Sequence, residues 1–156
     1  MAGTRMTIDF PGFKDLAEAI DRAEGDLHGA VTEALEATQA IVTEQLKAAA
    51  APYKRPNEGL KGYAQGDMYD AIIDGDMPVE WSGPNWAEIP VGFSSKHGQT
   101  LAGYIHSRYI YYGVPKQHME PDTRIVNAIT GPTTKKKVRQ KQEEILRKYL
   151  DLARKK

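Results

Sequence analysis

The 156-residue chain has no cysteine, so disulfides, thiolate metal sites and cysteine nucleophiles are excluded. No apolar run approaches the ~20 residues that a membrane helix needs, so no bilayer span is expected. The opening residues, MAGTRMTIDF, lack the apolar stretch of a secretory signal, and synthesis inside the cell is the expectation. Catalytic signatures are scarce as well. There is no His-Glu-x-x-His, no Gly-x-Ser-x-Gly elbow and no phosphate-binding Gly-rich loop. Gly59, Gly62 and Gly66 recur, but without the Lys-Ser/Thr end of a Walker-type loop. Internal repeats and low-complexity blocks are also missing.

Net charge is lacking too, with 21 Lys/Arg against 21 Asp/Glu, yet the charges are unevenly placed. Residues 135–156 hold ten Lys/Arg and three acids, a net of +7, which leaves residues 1–134 at −7. An acidic body with a basic tail fits a nucleic-acid contact or docking on an acidic protein surface, although such a tail is commonly just a solvated helix face. Hydrophobic residues at 40% and charged residues at 27% are ordinary for a globular domain. A chain of this length supports one core without covalent staples.

Met6–Phe10 reads as a short extended stretch closed by Pro11-Gly12. Phe13, Leu16, Ala17 and Ile20 then recur at helical spacing, Gly25 interrupts, and Asp26 is placed to cap a second helix. Leu27, Val31, Ala34, Leu35, Thr38, Ile41, Val42, Leu46 and Ala49 form one stripe of that helix, about 35 Å long and ending near Ala51-Pro52. Residues 52–66 and 94–103 are aperiodic, Gly-containing loops with the composition of mobile arms. Asp67–Ile73 reads as a helical turn capped by Asp67.

Met77–Trp81 and Trp86–Phe93 read as strands joined by a turn at 82–85. Pro78 and Pro90 put at least one of them at a sheet edge. Tyr104–Tyr112 is the most β-prone run, and its two apolar faces predict a strand covered on both sides. A short helix comes next, over Asp122–Ile129. Thr133 or Thr134 then caps a basic helix over about 134–154, whose thin apolar stripe is Val138, Ile145, Leu146, Tyr149, Leu150 and Leu152. Lys135, Lys136 and Lys137 fall in its first turn, where the helix dipole disfavours cations and an acidic partner is favoured. The whole reads as a single α+β domain, 1–156, with a long N-terminal helix packed on a small antiparallel sheet and short and long C-terminal helices.

Reactive groups do not converge in this pattern. His118, Glu120 and Asp122 alternate and can face one metal ion in an extended loop, but packing through Met119 explains that loop more simply. Asp67, Asp70, Asp74 and Asp76 lack the spacing of a calcium loop, and capping and turns account for them. His28 falls on the polar side of the long helix. Tyr104, Tyr109, Tyr111 and Tyr112 with Arg108 have the composition of a base-stacking strand, but packing and a protein interface suit them better.

Several segments line up in a recognisable order. They are Ala49-Ala50-Ala51-Pro52 at the helix end, Gly66-Asp67-Met68-Tyr69-Asp70-Ala71-Ile72, Tyr111-Tyr112-Gly113-Val114-Pro115, and Met119-Glu120-Pro121-Asp122 leading into Ile125–Ile129. Over residues 12–130 this order resembles the tailed-phage minor tail component family, which includes tail completion and head–tail joining proteins. Val114 stands where a threonine is usual, and Asp67 follows Gly66 directly.

The resemblance implies a small α+β subunit that assembles as a ring, commonly of six copies, in the neck of a long-tailed virion. It implies a protein made and assembled in the host cytoplasm that ends at the top of the tail. Its partners would be further copies of itself, an adjacent head-completion ring and the tail tube, with genomic DNA passing through the channel without sequence-specific binding and no membrane contact. It brings no catalytic residue, metal or cofactor. Gly66, Asp67, Met68, Tyr69, Tyr109, Tyr111, Tyr112, Gly113, Pro115 and Met119 become candidate interface residues, and Lys135, Lys136, Lys137 and Arg139 candidate docking cations. An acidic body suits a channel along which phosphates slide. The alternative from a different class is a small DNA-binding module that uses those four cations as phosphate contacts.

Overall fold

The computed structural model describes residues 4–53, 67–75, 77–83, 86–94, 111–113, 115–118 and 120–155. It is an α+β fold with, among these residues, a three-stranded antiparallel sheet whose central strand packs on the long helix. In chain order the elements are β1 (Thr4–Met6), α1 (Phe13–Arg22), α2 (Leu27–Ala49), α3 (Asp67–Asp70), β2 (Glu80–Trp81), β3 (Ala87–Val91), α4 (Thr123–Thr130) and α5 (Pro132–Arg154).

The long helix α2 is the axis of the molecule. Its Asp26 cap accepts from the Gly29 N–H at 2.8 Å. Ala30, Val31, Ala34, Leu35, Thr38, Val42 and Leu46 are buried along one side. α5, α4, α1 and β3 all pack on α2. α5 runs antiparallel to α2, because Gln142 meets Thr38, Lys148 meets Glu33, and Ala153 lies against Gly25.

Helix α1 ends before Gly25, as the sequence reading has it. Glu24, not Gly25, takes the left-handed conformation (φ 54°), and the Gly25 N–H closes the turn onto the Ile20 carbonyl at 2.9 Å. Gly25 serves close approach instead: a Cβ there would lie 2.9 Å from both Ala153 Cβ and Ile20 Cγ2.

The strand order is β1-β3-β2, with Thr4 opposite Val91, Met6 opposite Ile89, and Trp81 opposite Ala87. β2 is an edge strand, whereas Pro90 lies in the central strand. The central position is tolerated because β2 pairs only as far as Glu88, and the Pro90 carbonyl takes the Gln39 amide at 2.8 Å. The same amide donates to the Met77 carbonyl at 3.0 Å, so residues 77–79 are held by a helix side chain and β2 is only two residues long. Beyond Gly92, Phe93 bridges Ile72, and the Ile73 N–H donates to the Gly92 carbonyl. Ile72 and Ile73 thereby join the sheet side rather than extending α3, which begins at Asp67.

Two further expectations change. Tyr111 and Tyr112 have helical backbone, not strand. Adjacent strand side chains point to opposite faces, but these two rings meet edge-on, 4.8 Å apart at 75°, as a helical step allows. The rest of the 104–112 run lies outside the described residues. At the last helix, Pro132 occupies the first turn behind Gly131, and neither threonine is the cap. The Thr134 hydroxyl instead donates to the Asn127 and Ala128 carbonyls at the end of α4. The buried stripe of α5 is Thr134, Val138, Gln142, Ile145, Leu146, Leu150 and Ala153, while Leu152 faces outward.

Candidate interaction surface

Three of the segments that carry the resemblance meet at one end of α2. The helix runs into a 3-10 turn, Ala51–Tyr53, against which α3 packs. The Tyr53 hydroxyl donates to Asp122 Oδ2 at 2.6 Å. Asp122 also caps α4 through the Arg124 N–H at 3.0 Å and holds the Arg124 guanidinium at 3.0 and 3.2 Å. The Arg124 guanidinium beside it, with the Tyr53 hydroxyl, draws Asp122 down to about 2, against the opposing effect of its burial. Burial, and then the neighbouring Asp122 carboxylate, push the Tyr53 phenol up.

The candidate interface residues divide around this junction. Asp67 and Met68 open α3, and Tyr69 is half-buried against the core. Tyr111 packs on the core, whereas Tyr112 is 65% exposed. Gly113 has positive φ (72°), and Pro115 opens a 3-10 turn that reaches Gln117. Gly66, Tyr109 and Met119 lie outside the described residues. Asp122 is engaged by Tyr53 and Arg124, and no three His, Asp or Glu side chains gather around a point among the described residues. No helix among them is long and apolar enough to cross a membrane.

The docking cations lie on the first half of α5. Lys135, Lys136, Lys137 and Arg139 are all exposed. Arg139 is committed to Asp9, through its backbone carbonyl at 3.0 Å and its carboxylate at 3.1 Å. Among the described residues Lys135, Lys136 and Lys137 have no ion-pair partner, unlike Lys141, Arg147 and Lys148, which pair with Glu144, Glu143 and Glu33. Because α5 starts at Pro132, Lys136 and Lys137 lie past its first turn, so the dipole argument for an acidic partner weakens. Two hollows flank Lys135 and Arg139: one of about 230 Å³ reaches β1, and one of about 410 Å³ reaches Phe10 and Pro11.

Sequence reasoning missed Arg5, which β1 pairing brings beside this edge and which ion-pairs with Glu80 and with Glu88. It also missed a second groove, of about 860 Å³, between α2 and Asp74, Gly75, Met77 and Pro78. Glu36, Ala40 and Glu44 line its helix side at i, i+4 and i+8, and Lys47 pairs with Asp74 across it. The signal was present as a row of non-stripe positions on α2, but residues so far along the chain show no groove until the chain folds. His28, on the polar side of α2 as expected, stacks on Trp81 with ring centres 4.2 Å apart and planes 11° from parallel.

No protein-family model, no curated protein and no solved structure matches the chain.

Proposed function

We propose that this chain is a structural protein of a phage neck, forming a ring that completes the tail and joins it to the head. The observation that carries the reading is the junction at Tyr53. The helix end at 49–52, the Asp67–Ile72 segment and the Met119–Asp122 segment carry the resemblance, and parts of all three converge there. A shared order of segments is informative when those segments also form one structural unit. The α+β fold is also of the class that the resemblance implies.

On this reading the chain works by shape and contact. The acidic body lines a channel that DNA passes without being held, since a wall poor in free cations gives phosphates little to bind. Antibody labelling of purified virions tests it: label at the head–tail junction supports the reading, and label absent from particles refutes it.

A second reading, a DNA-binding module, is favoured by the three unpaired lysines of α5. It requires affinity that falls steeply with salt and that is lost when Lys135, Lys136, Lys137 and Arg139 are replaced.

A further inference from the structure

Two surfaces of this chain carry unmatched charge of opposite sign, and they lie at opposite edges of the sheet. Lys135 lies beside β1, at one edge, Lys136 lies by Phe10 and Pro11 just beyond it, and Lys137 follows on the same exposed stretch of α5. Glu36 and Glu44 line the groove beside Met77 and Pro78, which lead into β2 at the other edge. Among the described residues neither glutamate has an ion-pair partner, and both are exposed. Between them on the same face is Ala40, small enough to leave the groove floor open.

We propose that these two edges are the halves of one head-to-tail contact, in which the lysine edge of one copy seats in the glutamate groove of the next. Three features favour a second copy as the occupant. The tail at +7 and the body at −7 are equal and opposite, so one copy supplies what its neighbour lacks. A chain of zero net charge has no overall pull toward a polyanion, and its attraction is to a partner with the reverse arrangement. The patches are different and lie on different elements, which generates a heterologous contact that closes as a ring or continues as a filament. Each exposed pair contributes little alone, so an isolated contact is weak and strengthens only where copies are gathered. This inference rests on the ring reading and adds which surfaces meet.

The absence of native cysteine allows a direct test. Lys136→Cys and Ala40→Cys are made in separate full-length chains, both at exposed positions outside the core. The two variants are then oxidised singly and as a mixture at high protein concentration. The mixture is expected to yield several-fold more cross-linked dimer than either variant alone, and a chain carrying both cysteines should give a ladder of higher species. Glu36→Lys with Glu44→Lys should abolish the excess. It should return when the partner carries Lys135→Glu and Lys137→Glu.

Equal yields in all mixtures, or no cross-link, overturns the proposal. So does loss of duplex DNA binding on replacing the three lysines where no mixed cross-link forms. The two readings fail separately. Mixed cross-links in a protein that virions lack refute the neck role alone, and a neck protein without mixed cross-links refutes this contact alone.

Discussion

Gln142 and Thr38, 104 residues apart, are joined at the centre of the molecule by a 2.9 Å hydrogen bond from the Gln142 amide to the Thr38 hydroxyl. The Thr38 hydroxyl in turn donates to the Ala34 carbonyl within α2 at 2.9 Å. The Gln142 amide also reaches the Thr7 carbonyl, and its oxygen accepts from the Asp9 N–H. One fully buried side chain therefore ties α5 to α2 and to the segment leading out of β1. Such a group stabilises only when every partner is satisfied.

Replacing Gln142 with Leu keeps the bulk but leaves the Asp9 N–H and Thr7 carbonyl without their partner. A loss of about 2–3 kcal/mol is expected, read as a lower denaturant midpoint with an unchanged slope. Thr38→Val removes less, about 1 kcal/mol, because the helix retains its own backbone bonds. A Leu variant as stable as the parent would show that this network is dispensable.

The end of α1 makes opposite predictions at neighbouring residues. Glu24→Gly relieves a left-handed non-glycine residue and should raise stability by roughly 1 kcal/mol. Gly25→Ala sets a methyl 2.9 Å from Ala153 Cβ and should lower it by about 1–3 kcal/mol. Thermal unfolding of the two variants side by side checks both signs.

Acid should weaken the junction at Tyr53. Asp122 is held at about 2, below its ordinary 3.8, so the folded state binds its proton less readily than the unfolded state. Its contribution is complete above the unfolded value and declines as pH falls from about 4 to about 2. Asp122→Asn should remove that part of the acid sensitivity, and Tyr53→Phe should shrink it. Parallel acid titrations of the parent and Asp122→Asn would contradict the assignment.

Because Lys135, Lys136 and Lys137 have no ion-pair partner within the described chain, changing all three to Ala should shift stability by no more than ~0.5 kcal/mol each. Arg139→Ala should cost more, since it removes the bonds to Asp9. Urea unfolding of the two variants separates a contact held within the chain from cations left for a partner.

The helices were largely legible because their signals are local. Asp26 caps α2 as read, the α2 stripe repeats for its full length, and only the start of α5, at Pro132 rather than after a threonine cap, was placed two residues late. What was illegible depends on distant partners. β2 is short because Gln39 takes the backbone ahead of it, and Pro90 fits a central strand because that same amide reaches its carbonyl. Tyr111 and Tyr112 have strong β preference but helical backbone, an override of propensity by context. At the surface, the lysine edge was visible as a charge run. The glutamate groove was not, because its second wall comes from Asp74, Gly75, Met77 and Pro78, some 30 positions beyond Glu44.

The most direct test of the neck role is electron microscopy of lysates from a phage carrying this gene, with the gene removed. Full heads lying beside unattached tails are the expected result. Tails of normal length would mark a completion or joining protein, and overlong tails a terminator. Intact infectious particles would contradict the neck role outright.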